Sequence, residues 1–165
     1  MASVASIVPC LWFDKNGEEA VNYYVSIFPN SKITQTTHYS EAGRGYHGRN
    51  PGSVLTIAFE LDGVRFTALN GGPNFEFTEA VSFQVMCDTQ TEVDSFWTKL
   101  GAGGDPNAQQ CGWLKDKYGV SWQIVPRVFM EMIGDHTSPA GKRAMSAMMQ
   151  MKKMDIAALE KAYNG

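Results

Sequence analysis

Few side chains in this sequence have the chemistry of a catalytic acid, base or nucleophile. The three histidines, His38, His47 and His136, lie far apart, favour surface or structural roles, and show no Ser/His/Asp order. His38 falls near the end of a predicted strand and stays open as an acid or base, since imidazole titrates near neutral pH. Cys10 should point inward from a strand, but a buried cysteine is more often an apolar filler than a nucleophile. The catalytic residues are therefore unknown from the sequence.

Two glycine-rich segments have the composition of a nucleotide-binding loop without its context. Residues 43–48 satisfy G-x-G-x-x-G, yet Arg49-Asn50-Pro51-Gly52 follows where a dinucleotide site requires the first turns of a helix. Residues 101–104 follow a predicted helix instead of a strand, so they do not suit a phosphate or a methyl donor. The sequence therefore predicts no cofactor.

The amino-acid composition and net charge exclude some classes of binding partner. The chain has 165 residues, of which 44% are apolar and 19% charged, enough for one well-buried domain. A formal net charge of −3 argues against nucleic acid or an anionic membrane as the main partner. The cysteines, at positions 10, 87 and 111, are odd in number and far apart, which suits reduced thiols. Since no secretory signal or membrane-spanning apolar run is present, we expect a cytoplasmic protein.

The chain carries an internal repeat. Residues 63–69 and 119–125 both read as a turn glycine followed by an alternating strand. Upstream of each, residues 11–24 and 85–97 read as strand, turn and amphipathic helix. Repeats of this length suggest two copies of one supersecondary unit, which should pair and leave a shared concave surface for any function.

The repeat predicts one α+β domain over 1–165, built from two paired β-α-β-β-β modules and a C-terminal helical extension. Module one covers 5–72, module two covers 78–126, and the tail covers 127–165. The tail reads as two or three helices and belongs to neither module. Residues 41–52, with four glycines and a proline, predict a mobile loop.

Alternation and capping signals predict the elements within each module. The predicted strands are 7–13, 31–39, 53–61 and 64–70 in module one, and 80–87, 109–115 and 120–125 in module two. Asn16 with Glu19, and Thr89 with Glu92, have the spacing of a capping box at the start of the intervening helices. The apolar stripe of each helix should pack on its sheet.

Several stretches resemble a known family. They are Leu11-Trp12-Phe13-Asp14, Glu18-Glu19-Ala20, Phe28-Pro29-Asn30-Ser31, Gly71-Gly72-Pro73 and residues 111–119. With the paired modules, they resemble the PhnB-like branch, also labelled 3-demethylubiquinone 3-methyltransferase-like, of the vicinal oxygen chelate superfamily. That superfamily includes glyoxalase I, extradiol dioxygenases, fosfomycin-resistance enzymes and bleomycin-binding proteins. The resemblance spans nearly the whole chain and implies a glyoxalase-like fold.

The resemblance also implies where a metal would bind. Metal-using members place His, Gln or Glu at equivalent strand positions of the two modules, which fall here on Val8, Thr67, Ser82 and Gln123. Only Gln123 could coordinate an ion, whereas a catalytic divalent ion normally has about three imidazole, carboxylate or thiolate ligands. We therefore predict no bound metal.

Strand alternation predicts an uncharged and partly aromatic ligand site. The predicted ligand-binding residues are Cys10, Trp12, Thr67, Leu69, Ser82, Gln84, Trp113 and Gln123. Tryptophan offers flat apolar area with an N–H donor, and amides and hydroxyls hydrogen-bond without charge, which suits a planar or partly apolar small molecule. An equal alternative is that the tryptophans simply fill the core.

Two classes of function remain open. The first is a metal-free protein that binds a small molecule, as the resemblance to drug-resistance relatives implies. The second is an enzyme of uncertain reaction, a methyltransferase by family label or a lyase or dioxygenase by superfamily, with Gln123, His38, Cys10 and residues 113–116 as candidate actors. A purely structural dimer is a weaker third reading.

The tail holds seven of the nine methionines, which suggest how the protein could form oligomers. Flexible thioethers suit an irregular core seam or a contact with another subunit, and core packing is the preferred reading. The resemblance implies relatives that dimerise, and a helical appendage is a reasonable means of extending an interface. We therefore expect a homodimer.

Overall fold

A computed structural model of the protein describes residues 7–165. The chain divides after Glu76 into two compact units, each of which is described by itself. The start of module one at residue 5 lies outside the described residues. The single domain over 1–165 and the limits of its modules stay predictions.

The first unit has the predicted β-α-β-β-β order. Its elements are β1 (Cys10–Phe13), α1 (Gly17–Ile27), β2 (Lys32–His38), α2 (Arg44–His47), β3 (Val54–Leu61) and β4 (Val64–Asn70). The sheet has the order β1-β4-β3-β2, in which β1 lies parallel to β4 and the other neighbours are antiparallel. The short helix α2 falls inside the predicted loop 41–52.

The second unit has a smaller sheet followed by the helical extension. Its elements are β5 (Ser82–Cys87), α3 (Gln90–Gly101), β6 (Trp113–Lys115), β7 (Ser121–Pro126), α4 (Arg127–Met132), α5 (Pro139–Met148) and α6 (Ile156–Asn164). The strand order is β5-β7-β6, with β5 parallel to β7. Two sheets and six helices within residues 7–165 confirm the predicted α+β class.

The second module has one strand fewer than the first. The predicted strand 109–115 is reduced to 113–115, and a 3-10 turn over Pro106–Ala108 occupies the preceding segment. Cys111 and Gly112 both have positive φ, of 54° and 83°, so the chain turns there instead of extending. The module is therefore β-α-β-β.

The two module helices pack on their sheets but begin differently. In α1, Ala20, Val21 and Tyr24 are fully buried against the sheet, as the apolar stripe predicts. The predicted cap at Asn16 is wrong, because its side chain makes no cap hydrogen bond. Instead the Oδ1 atom of buried Asn70, at the end of β4, accepts the N–H of Gly17 at 2.9 Å.

The capping box of α3 is present as predicted. The N–H of Glu92 donates to Thr89 Oγ1 at 3.2 Å, and the N–H of Thr89 donates to Glu92 Oε2 at 3.0 Å. The N–H groups of Asp88 and Thr89, both donating to the carboxylate, hold the pKa of Glu92 below its ordinary value.

The helical tail packs within the second compact unit. Its buried cluster comprises Phe129, Met132, Ala144, Met148, Met154 and Leu159. The backbone N–H groups of Cys111 and Gly112 donate to the carbonyls of Met151 and Lys152 at 2.8 and 2.7 Å. None of the helices within residues 7–165 combines the length and the apolar character needed to span a lipid bilayer.

Candidate functional site

The first sheet has one face covered by α1 and one face open. Along β1, Leu11 and Phe13 are buried on the helix side. Because side chains alternate along a strand, Cys10 and Trp12 lie on the opposite face. Cys10 is paired in register with Thr67, and Trp12 with Leu69. The structure therefore brings the four predicted ligand-binding residues of this unit together.

Trp12 is held by the loop that follows β4. Its Nε1–H donates to the carbonyl of Gly72 at 2.8 Å, and its ring meets Phe75 edge-on with centroids 4.9 Å apart. A Cβ atom at Gly71 would lie 2.3 Å from the indole, so the ring packs directly on that glycine. The predicted N–H donor of Trp12 is therefore already used, and the ring can offer a ligand apolar contact only.

Cys10 lies on the open face and is exposed, unlike the buried filler that the sequence favoured. Partial burial of the thiol raises the pKa of Cys10. A raised pKa keeps the sulfur protonated at neutral pH, whereas attack requires the thiolate. Cys10 therefore lacks the activation of a nucleophile.

The open face of the second sheet carries a hydrogen-bonded row of uncharged side chains. Gln84 Nε2 donates to Gln123 Oε1 at 3.3 Å, and Gln123 Nε2 donates to Ser82 Oγ at 2.8 Å. Trp113 is the register partner of Gln123 on the neighbouring strand β6. The four predicted residues of this unit therefore form one continuous surface, which we call the Gln123 row.

Ser121 is a member of the same face that the sequence reading missed. It lies two residues before Gln123 on β7, and its register partner on β5 is Ser82. The residue is 2% exposed, and its hydroxyl has no hydrogen-bond partner within the part of the chain that the structure describes. The same alternation that selected Gln123 could have selected Ser121.

The segment 113–116, a candidate in the enzyme reading, has a largely structural role. Asp116 is buried and accepts hydrogen bonds from Tyr118 N, Val120 N and Trp122 Nε1 at 2.8 to 3.0 Å. These bonds fix the turn between β6 and β7. Lys115 pairs with Glu79, and this contact holds the pKa of Glu79 below its ordinary value.

The histidines do not assemble a catalytic pair. His38 is an exposed residue at the end of the edge strand β2, and His136 is exposed after α4. His47 accepts the N–H of Arg49 at its Nδ1 atom, at 3.0 Å, and its ring packs on Tyr39 with centroids 4.6 Å apart. His47 thus stabilises the glycine-rich loop.

The donor set does not fit a catalytic divalent ion. No group of three His, Cys, Asp or Glu side chains is close enough to hold a metal anywhere within residues 7–165. At the positions where the family resemblance implies metal ligands, the chain has Val8, Thr67, Ser82 and Gln123, none of which has an imidazole, carboxylate or thiolate. No step of a reaction can be assigned to a metal held by these residues.

Comparison with known proteins identifies the family. A sequence model of the 3-demethylubiquinone-9 3-methyltransferase family matches residues 5–125. This chain belongs to that family. The tail from residue 127 lies beyond the matched part of the family. No functionally curated protein matches the chain.

Solved structures agree with this assignment to the family. The PhnB protein from Bacillus cereus is 36% identical, with a TM-score of 0.62, and the match covers 73% of this chain and 98% of that one. Protein PA1353 from Pseudomonas aeruginosa shares the fold at 18% identity, with a TM-score of 0.56 and 74% and 98% of the two chains covered. The predicted resemblance to PhnB-like, 3-demethylubiquinone 3-methyltransferase-like proteins is confirmed.

The family's name raises the question of a site for a methyl donor. Residues 43–48 contain the four-residue helix α2, and residues 49–52 after it form no helix. Gly101 is the last residue of α3, and residues 102–104 follow the helix directly. Neither segment is a glycine loop that joins a strand to a full helix, so neither provides a Rossmann-type phosphate site.

Proposed function

We propose that this protein binds an uncharged, planar or partly apolar small molecule at the Gln123 row. The observation that carries the proposal is the ordered chain of hydrogen bonds from Gln84 through Gln123 to Ser82, beside Trp113. Amide and hydroxyl groups orient a ligand by hydrogen bonds, and an indole supplies flat apolar area. This combination of neutral polar groups and one aromatic ring favours neutral ligands over ions.

The direction of the hydrogen bonds indicates what the ligand must offer. Gln123 uses its oxygen and one N–H within the row, while the Oε1 atom of exposed Gln84 accepts none of the row's bonds. A ligand donor can therefore bind Gln84, and its ring can stack on Trp113. Each such hydrogen bond contributes about 1 kcal/mol, so most of the affinity must come from apolar contact.

The open face of the first sheet supports the same class of ligand. Trp12, Leu69 and Thr67 provide apolar contact and a hydroxyl, and no charged side chain is among the four predicted residues there. We propose Cys10 and these three residues as a separate binding surface on the first unit.

Thermal-shift screening with quinones and aromatic antibiotics tests the proposal, since a ligand stabilises the folded protein according to its saturation. Stabilisation by a compound should be lost in Gln123→Ala and in Trp113→Leu. Gln150→Ala, which changes an exposed glutamine of the tail, is the matched control and should retain it. Equal stabilisation of all three variants would refute the assignment of the site.

We also propose that the protein acts without a bound metal. The absence of an imidazole, carboxylate or thiolate at Val8, Thr67, Ser82 and Gln123 supports this proposal. Elemental analysis of the purified protein tests it. Near-stoichiometric zinc, nickel, manganese or iron would contradict it.

The name of the family model favours one alternative, an enzyme that transfers a methyl group. In that case S-adenosylmethionine should stabilise the protein in the same screen, while quinones without it should not. The raised pKa of Cys10 and the structural role of Asp116 argue against these two candidate actors.

Homodimerisation and a cytoplasmic location remain part of the proposal. Three exposed methionines of the tail, Met130, Met145 and Met149, supply apolar surface that a second subunit could cover. Light scattering coupled to size-exclusion chromatography tests the dimer, and a monomer mass would contradict it. Fractionation of the source cells tests the location.

A further inference from the structure

A pocket on the first unit shares no residue with the proposed binding surface. Its volume is about 130 Å³, and its lining comprises Lys15, Glu18, Tyr39, Arg49, Ser53, Val54 and Asn70. We call it the Lys15 pocket. The start of α1, the end of β4 and the glycine-rich loop before β3 form its walls.

Hydrogen bonds fix the walls of the Lys15 pocket. Tyr39 Oη donates to the carbonyl of Asn70 at 2.7 Å, and Asn70 Nδ2 donates to the carbonyl of Val54 at 3.1 Å. Ser53 Oγ donates to the carbonyl of Asn50 at 2.6 Å. Because these side chains are already ordered, a ligand would lose little affinity to ordering them.

The charges that face the pocket are of both signs. Arg49 Nη2 donates to the carbonyl and the carboxylate of Asp14, at 2.8 and 3.0 Å, so the charge of Arg49 is compensated within the protein. Lys15 and Glu18 also line the pocket, and neither forms an ion pair with any side chain among residues 7–165. One cation and one anion are therefore available to a ligand.

The balance of charge selects the class of ligand. The formal charges of Lys15 and Arg49 cancel those of Glu18 and Asp14, so the pocket has no net attraction for a simple anion or a simple cation. A molecule that carries an ammonium and a carboxylate complements both free charges at once. Since a cavity of about 150 Å³ holds benzene, a molecule of the size of a small amino acid fits within this pocket.

We propose that the Lys15 pocket binds a small zwitterion of the α-amino acid class. The carboxylate faces Lys15, the cation of the lining that has no ion-pair partner within residues 7–165. The ammonium faces Glu18. Glycine and alanine are small enough to lie within the pocket.

Titrations of ¹⁵N-labelled protein followed by amide chemical shifts test this proposal. The three probes are glycine, acetate and methylammonium, compared at equal ionic strength and neutral pH. Glycine should shift the amides of Lys15, Glu18 and Ser53 with a dissociation constant on the order of millimolar, and the two simple ions should bind at least about tenfold more weakly. Acetate binding as tightly as glycine, or no shift with glycine, would overturn the proposal.

Single variants place the binding at the named charges. Lys15→Gln and Glu18→Gln should each weaken glycine binding by about tenfold, because each removes one complementary charge. Lys142→Gln and Glu160→Gln, exposed positions in the second unit, are the matched controls and should leave it unchanged. Unchanged binding in both pocket variants would also overturn the proposal. The result is independent of ligand binding at the Gln123 row, since the two sites share no residue.

Discussion

The packing of the Trp12 indole against Gly71 allows a quantitative test of the structure of the first unit. A Cβ atom built at Gly71 lies 2.3, 2.4 and 2.5 Å from three atoms of the indole, well inside van der Waals contact. The backbone cannot easily yield, because the Gly71 N–H donates to the carbonyl of Phe13 at 2.9 Å. In Gly71→Ala the indole must therefore move.

The cost follows from what the indole contacts. Displacement breaks the hydrogen bond from Trp12 to Gly72, which contributes about 1 kcal/mol. It also disturbs the edge-on contact with Phe75, which contributes about 0.5–1.5 kcal/mol. With strain from overpacking of about 1 kcal/mol, Gly71→Ala should lower the free energy of unfolding by about 3 kcal/mol.

Urea unfolding followed by circular dichroism measures this change, with Gly45→Ala as the control. No atom lies within 4 Å of a Cβ at Gly45, so this variant should keep the wild-type stability or gain a little from helix propensity. In a Trp12→Leu background the indole is absent, so Gly71→Ala should change the free energy of unfolding very little. The double-mutant cycle should therefore give a coupling energy of more than about 1 kcal/mol. Additive effects, or a loss below about 0.5 kcal/mol in Gly71→Ala, would refute the reasoning.

Three further changes act on the second unit. Asp116→Asn should lower the free energy of unfolding by about 2–3 kcal/mol in urea, because it removes the charged acceptor of three N–H donors, that of Trp122 among them. Ser121→Ala should raise the free energy of unfolding by about 1 kcal/mol, since the buried hydroxyl has no hydrogen-bond partner among residues 7–165. A loss of stability would contradict this reasoning, because it would mean that the hydroxyl forms a hydrogen bond. Burial raises the pKa of Cys87 from 9.0 to about 11, so the thiol stabilises the fold below pH 9.0 and this contribution is lost as the pH rises to about 11. Unfolding across that range should show a steeper loss in the wild type than in Cys87→Ala, and parallel curves would contradict the burial of the thiol.

Periodicity was sufficient to predict most of the fold because its elements are regular. The strand predicted over 64–70 is observed over the same residues, since strict alternation separates its buried and open faces. The strand predicted over 109–115 is mostly wrong because Cys111 adopts a φ of 54°. Side-chain propensity does not predict such a turn. The turn is stabilised by the backbone hydrogen bond from the N–H of Cys111 to the carbonyl of Met151 in the tail.

The residues of the candidate site could be predicted from the sequence, but the hydrogen bonds between them could not. Alternation placed Ser82, Gln84 and Gln123 on one face, and the register confirms that placement. The order of donors and acceptors depends on rotamers and amide orientation, which have no sequence signature. The cap of α1 failed for a similar reason, since its acceptor, Asn70, is 53 residues distant from Gly17.

The residues that carry the family resemblance in this chain serve its structure more directly than any reaction. Trp12 packs on Gly71 and donates a hydrogen bond to the carbonyl of Gly72. Asp116, in the turn before β7, accepts a hydrogen bond from Trp122. A chain that keeps these contacts keeps the family's fold whatever molecule it binds, because the Gln123 row contributes none of them. Membership in a family named for a methyltransferase therefore predicts the scaffold, whereas the proposal of a ligand depends on the side chains of the row.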